Sequence, residues 1–305
     1  MSKKIFVVTG ANKGIGYGIV ENLAQNIDGG IIYLTARNVE LGENAVKKLT
    51  ETLGSKQKSK IVFHQLDITD ENSVKKLTEH LKKTHDGLDV LINNAAVLYQ
   101  LDSTVDPNVK AEETFKINYY GTKRISNYLI PLIRDGGRIV NVCSQGGVMN
   151  CGTREPNYKE VIEEITDQTE RETYKGLYAM IMAEKYSQSN VDRLVNAKTE
   201  ADIDAFVEEF KKSVKNGNTI ESGFPTIAYR VSKAAEIALT MLHHRMFGNK
   251  IKINACCPGY VKTDMSQGKG FLTIQEGADT PCYLATDPNA PNGKFLYQRK
   301  IIDWY

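Results

Sequence analysis

What most constrains this chain is an alternation. Short apolar runs at 4–9, 30–35, 61–66, 88–93, 138–143 and 250–256 are separated by longer segments with apolar residues at helical spacing, as at 14–26, 41–53, 73–84 and 111–132. The runs read as buried strands, and the amphipathic segments as helices that cross back over a sheet. Because such crossovers are right-handed, their repetition builds a doubly wound parallel sheet with helices on both faces. The expected class is α/β, with residues 1–305 forming one domain.

The alternation fails once, at about 146–224, where charged residues dominate and no strand-like run occurs. A mainly helical insertion is expected there. Residues 154–221 hold 15 Asp+Glu against 10 Lys+Arg, a net −5, so the rest of the chain carries +7. One helix is legible in detail: Thr199 as N-cap with Asp202 three positions on, an apolar face of Ile203, Phe206, Val207, Phe210 and Val214, and a stop at Asn216-Gly217. A second amphipathic stretch covers 174–186, with Leu177, Tyr178, Ile181 and Met182 on one side.

Composition excludes several classes. A hydrophobic share of 41% supports a packed core rather than disorder. No stretch approaches the ~18 apolar residues of a membrane span, and the run at 5–8 is too short for a signal peptide. Cys143, Cys151, Cys256, Cys257 and Cys282 are odd in number, with no Cys-x-x-Cys pair and no glycosylation sequon in the chain, so free thiols in a reducing cytoplasm are expected. His64, His80, His85, His243 and His244 offer no ligand spacing for a metal. A net charge of +2 without an aromatic-basic stripe gives no support to nucleic-acid binding. Val142-Cys143-Ser144-Gln145-Gly146 holds only half of the Gly-x-Ser-x-Gly elbow of a serine hydrolase.

The first strand runs into Thr9-Gly10-Ala11-Asn12-Lys13-Gly14-Ile15-Gly16 and then directly into a helix. Glycines in such a turn let backbone amides approach a pyrophosphate at a helix N-terminus, where the dipole favours negative charge. They would also serve a plain tight turn; the second strand separates the two readings. Its end, Thr35-Ala36-Arg37-Asn38, lacks the carboxylate that NAD-binding chains use on the adenosine ribose. Arg37 and Lys13 instead offer a cationic clamp for a 2′-phosphate, which points to NADP(H). After the fifth strand and the insertion comes Tyr229-Arg230-Val231-Ser232-Lys233, with Tyr229 and Lys233 on one helix face. A phenol of pKa ~10 is a usable acid at neutral pH, and an adjacent ammonium brings its phenolate nearer the working range.

With these features combined, the chain resembles the short-chain dehydrogenases/reductases, and within them the monomeric carbonyl reductases, along nearly its whole length. The resemblance extends to Leu66-Asp67-Ile68, Asn93-Asn94-Ala95-Ala96, Lys116-Ile117-Asn118, Val142-Cys143-Ser144, the segment from Cys256 to Asp264, and Gly293-Lys294-Phe295 leading to Trp304. It implies a Rossmann-like fold and NADPH-dependent reduction of a small-molecule carbonyl compound. Tyr229 would protonate the carbonyl oxygen, Ser144 would hold that oxygen, Lys233 would grip the nicotinamide ribose, and Asn118 would anchor a relaying water. Gly10, Asn12, Gly14, Ile15 and Gly16 would cradle the cofactor together with Lys13 and Arg37. Asp67 and Ile68 would flank the adenine, and Asn94 and Ala95 would line the cofactor. Pro258, Gly259, Val261 and Thr263 would border the nicotinamide.

Departures from the family pattern are also visible. Ala96 replaces a commoner glycine, Leu41 stands where close relatives have a second basic residue, and Tyr260 replaces a usual tryptophan. Ser144 and Tyr229 lie 85 residues apart, a longer separation than the carbonyl reductases show. That insertion precedes the helix through which family members pair subunits, so a monomer is expected. It would also wall the substrate site, with Met149, Cys151, Tyr174, Tyr178 and Met182 as candidate lining beside Tyr260. Cys257 would lie near the nicotinamide. Two alternatives stay open: an NADP-linked hydroxysteroid or alcohol dehydrogenase, and a redox sensor that binds NADP(H) without turnover.

Overall fold

Strands β1 (Ile5–Val8), β2 (Ile31–Ala36), β3 (Lys60–Gln65), β4 (Leu88–Asn93), β5 (Ile133–Val142) and β6 (Lys252–Cys257) fall on the six apolar runs. They are seen in a computed structural model that describes residues 3–100, 102–149, 163 and 165–305, apart from the side chains of residues 177, 178 and 180–182. With β7 (Phe295–Tyr297) and β8 (Lys300–Ile301) they form one sheet in the order β3-β2-β1-β4-β5-β6-β7-β8. Every pairing is parallel except the last. Register places Val7 of β1 between Tyr33 of β2 and Leu91 of β4, and every residue of β1 is buried, as its unbroken hydrophobicity demands.

Two sequence expectations need correction. The sheet has two more strands than the six runs, because β7 and β8 hold three and two residues, too few to show a period. Their connecting turn also lacks a glycine signal, since Gln298 and Arg299 themselves take left-handed φ values of 47° and 63°. The stretch 111–132 is not one helix: it is Pro107–Phe115, a π turn at Lys116–Gly121, Thr122–Leu129 and a 3-10 turn at Ile130–Leu132. The true start is Asp106, whose side chain caps Asn108, with Pro107 at the first helical position, where its missing N–H costs nothing.

The described part of the insertion is helical, as expected, over Gln168–Ala183, Gln188–Val195 and Glu200–Asn216. In the last of these, the Thr199 hydroxyl accepts from the Asp202 amide at 3.2 Å, and Asp202 accepts from the Thr199 amide at 2.8 Å. Gly217 ends the helix at φ +69°, a conformation that suits glycine. Ile203, Phe206, Val207 and Phe210 are fully buried. Phe210 meets Phe115 at 5.4 Å and Phe224 at 5.5 Å between ring centres, fastening the insertion to the helix Pro107–Phe115.

Charge follows the same seam. Asp204 accepts from Lys123 Nζ at 2.6 Å and from Tyr119 Oη at 2.9 Å, Glu208 accepts from Tyr120 Oη at 2.7 Å, and Glu200 pairs with His243 at 2.8 Å. The negative insertion thus spends several carboxylates on the positive body. Among the described residues, no helix is long and apolar enough to cross a membrane, and no cluster of His, Cys, Asp or Glu fits a metal ion.

Candidate active site

The chain winds outward from β1 through β2 to β3, then returns to start again at β4 on the other side of β1. In open α/β sheets, ligands bind in the crevice that this reversal leaves beyond the carboxyl ends of the strands. The loops leaving β1 and β4 meet there in close contact. A Cβ on Gly10, which has φ +61°, would sit 2.9 Å from Ala95 Cα; one on Gly16 would sit 2.5 Å from Asn94 Nδ2 and 2.8 Å from the Gly10 carbonyl oxygen. Asn94 Nδ2 donates to the carbonyls of Thr9 and Gly10 at 3.0 and 3.1 Å, and the Thr9 hydroxyl accepts from the amides of Asn94 and Ala95. The glycines therefore serve loop packing as much as ligand approach.

A cleft of about 570 Å³ opens at this point. Of the residues expected to hold a cofactor, Gly10, Asn12, Lys13, Gly14, Ile15, Arg37, Asp67, Ile68, Asn94, Ala95, Pro258 and Thr263 line it, whereas Gly16, Gly259 and Val261 do not. Asp67 has Oδ1 fixed by the amide and hydroxyl of Thr69 at 2.8 and 2.7 Å. Lys13 pairs with Asp264 at 2.7 Å, both side chains being exposed at the cleft mouth.

Tyr229 and Lys233 stand on the inner wall, on the helix Ala228–Phe247. Lys233 Nζ lies 5.9 Å from the Tyr229 ring centre and is fully buried. It donates to the Val142 carbonyl at 2.9 Å and to Glu236 Oε2 at 2.6 Å. Burial works against the Lys233 ammonium, but Glu236, Tyr229 and Cys143 outweigh it and hold its pKa well above the ordinary lysine value. Burial raises the Tyr229 phenol above its usual range; the Lys233 charge and a hydrogen bond with Ser144 pull it back only in part. Glu236 was not foreseen, although a carboxylate three positions after Lys233 on one helix was readable in the sequence.

Ser144 and Asn118 are off the cleft wall. The Ser144 hydroxyl accepts from the Gly146 amide at 3.0 Å and reaches the Tyr229 phenol. Asn118, buried in the π turn, accepts from the Val97 amide at 2.8 Å and donates to the Val97 carbonyl and to Ser232 Oγ. It ties the segment after β4 to the helix that carries Tyr229 and Lys233. A π turn at a functional site is a recurring device, because its extra residue re-aims the groups around it.

The expected substrate wall is met in part. Met149 is buried, with its amide on the Trp304 carbonyl, and is a core residue rather than a lining one. Tyr260 packs edge-on to Phe271, which also contacts Tyr174, and the Tyr174 and Tyr297 hydroxyls share a hydrogen bond of 2.5 Å. Cys151 and the side chains of Tyr178 and Met182 lie outside the described residues. Cys257 is buried, and burial pushes its thiol pKa up, which makes it inert.

The comparisons with known proteins agree with this geometry. Residues 4–174 match the family model described as short chain dehydrogenase. The carbonyl reductase (NADPH) 1 of Sus scrofa is 35% identical, over 99% of this chain and 94% of its own. Among solved structures, salutaridine reductase from Papaver somniferum shares 31% identity with a TM-score of 0.72 over 96% of this chain and 99% of its own. Menthone neomenthol reductase from Mentha piperita shares 27% identity with a TM-score of 0.72, over 98% and 100%. A sheet that reverses at β1, a glycine turn packed on the β4 loop, Tyr229 beside the buried Lys233 and these likenesses converge: the chain belongs to the short-chain dehydrogenase family, a family of oxidoreductases.

Proposed function

We propose that this protein reduces carbonyl compounds (quinones, aldehydes and ketones) at the expense of NADPH, with Tyr229 as the proton donor. The observation that carries this reading is the half-buried Tyr229 phenol, flanked by the Lys233 ammonium and the Ser144 hydroxyl in a cleft that begins at the glycine turn. The cleft residues fit a dinucleotide: Gly10 and Gly14 take left-handed φ values that bare the backbone, and no side chain could be added at Gly10 without striking Ala95. NADP(H), when bound, supplies the hydride. The amides of residues 10–16 would take the pyrophosphate, Asp67 and Ile68 the adenine end, and Asn94, Ala95, Pro258 and Thr263 the middle and nicotinamide end, with Lys13 and Arg37 on a 2′-phosphate.

As charge builds on the carbonyl oxygen, Ser144 and Tyr229 donate to it, and Tyr229 passes its proton across. Lys233 holds the phenol in a positive field, and Asn118 fixes the helix bearing both; the remaining lone pair of its Oδ1 is the docking point we assign to a relaying water. Gly259 and Val261 shape the segment behind the nicotinamide end, and Tyr260, with Phe271 beside it, is the substrate contact we retain. A panel of quinones, aldehydes, ketones and steroids tests the assignment by NADPH absorbance. Turnover of several carbonyls is expected; NADPH binding without any turnover would overturn it and favour a sensor.

We further propose a monomer in the cytoplasm. The helix Glu200–Asn216 covers the helices Pro107–Phe115 and Ala228–Phe247, filling a face on which a second subunit would sit. Cys143, Cys256, Cys257 and Cys282 are free thiols, suited to a reducing compartment. Light scattering should return a mass near 34.0 kDa, and twice that value would refute the monomer.

A further inference from the structure

The pair formed by Lys233 and Glu236 has a consequence for the direction of catalysis, resting on the carbonyl-reductase reading above. We propose that Glu236 is a positioning residue that, by pairing with the Lys233 ammonium, keeps Tyr229 in its phenol form and so sets the site for carbonyl reduction rather than alcohol oxidation. Reduction needs Tyr229 as an acid, and oxidation needs it as phenolate. An isolated buried ammonium would draw the phenol toward phenolate, but the side chains of Lys233 and Glu236 are only 2% and 1% exposed and 2.6 Å apart. Seen from Tyr229, that pair is a dipole, whose field falls faster than that of a single charge. The overall equilibrium is untouched; what shifts is the pH at which each direction runs fast.

Geometry restricts the ammonium as well. Of its three N–H donors, one goes to the Val142 carbonyl and one to Glu236, leaving one for the cleft. The groups that face the carboxylate are the Lys233 ammonium from its own helix, the Cys143 thiol beyond β5 and the Thr122 hydroxyl of the helix Thr122–Leu129. Those that face Tyr229 are Lys233, Ser144, Cys257 at the end of β6 and Glu236. Burial pushes the thiols of Cys143, Cys256 and Cys257 up, so they stay neutral. Burial raises the Glu236 carboxyl as well, but the Lys233 ammonium 2.6 Å away opposes that shift, so among the described residues Glu236 is the anion that opposes Lys233 at this phenol.

The test is an ultraviolet titration of the NADP⁺-saturated protein, in which subtracting the Tyr229→Phe spectrum isolates one phenol. A wild-type midpoint on the alkaline side of neutrality is expected, falling by about one unit in Glu236→Gln, which keeps the shape and removes the charge. The rates should follow: the acidic limb of alcohol oxidation and the alkaline limb of carbonyl reduction both move about one unit toward acid. A midpoint unchanged in a folded Glu236→Gln overturns the proposal. So does a wild-type midpoint at or below about 7, which decides the matter even where the variant does not fold. Absence of turnover in the wild type would instead refute the carbonyl-reductase reading, while the phenol titration would still report on Glu236.

Discussion

Replacing Tyr229 by phenylalanine is expected to lower NADPH-dependent carbonyl reduction by about 10²–10⁴-fold, the range over which a positioned proton donor contributes. The phenol lies on the inner cleft wall, among Lys233, Ser144, Cys257 and Glu236, so no other described side chain there supplies a proton of suitable acidity. Lys233 is held too firmly as an ammonium, and the buried thiols too firmly as neutral groups, to stand in for it. The ring itself remains, so the wall keeps its shape, and NADPH affinity should change by less than about threefold. The pH behaviour carries a definite sign. Reduction uses the protonated phenol, so its rate is full below the Tyr229 pKa and falls as pH rises through it; that limb should vanish in the variant. Stopped-flow binding with steady-state rates across pH would check both parts, and a variant retaining more than about a tenth of the activity would remove Tyr229 from the chemistry.

How much of this was legible in advance depended on what kind of force fixes each element. The strands β1, β2, β4 and β6 are buried nearly throughout, and burial on both faces leaves a continuous apolar run, so they could be read. The helix Glu200–Asn216 could be read end to end, because cap, apolar face and glycine stop are all local signals. Strands β7 and β8 could not, since they exist only by pairing with β6 and with each other, and tertiary pairing leaves no period in three or two residues. The π turn at Lys116–Gly121 was hidden for a related reason: Asn118 is held by Val97 and Ser232, partners 21 and 114 positions away. At the site, the Tyr229 and Lys233 spacing was local and visible. The burial of Met149 against the Trp304 backbone, and the two long-range loops that bring Lys13 to Asp264, were not.

That contact between Lys13 and Asp264 bears on the second large effect. The double substitution Lys13→Ala with Arg37→Ala should weaken NADPH binding by about 10²-fold and NADH binding by less than about threefold. Each cation is one charge-assisted partner for a 2′-phosphate, worth roughly tenfold once solvent screening at an open cleft mouth is counted. NADH carries no such phosphate, so the same loss of charge leaves it nearly indifferent. Without ligand, however, Lys13 already has an anion, Asp264 at 2.7 Å, whose carboxyl the lysine holds below the usual range. The phosphate must displace that partner or share it. Asp264→Asn is therefore expected to tighten NADPH severalfold, with a salt dependence steeper than that of the parent, because Lys13 then has the phosphate alone. Leu41 adds no third cation to the clamp, so the selectivity rests on these two residues. Fluorescence titrations of both nucleotides at two ionic strengths would measure it. Equal losses for NADPH and NADH in the double variant would mean that Lys13 and Arg37 are ordinary surface cations, and that the cleft distinguishes the nucleotides by other means.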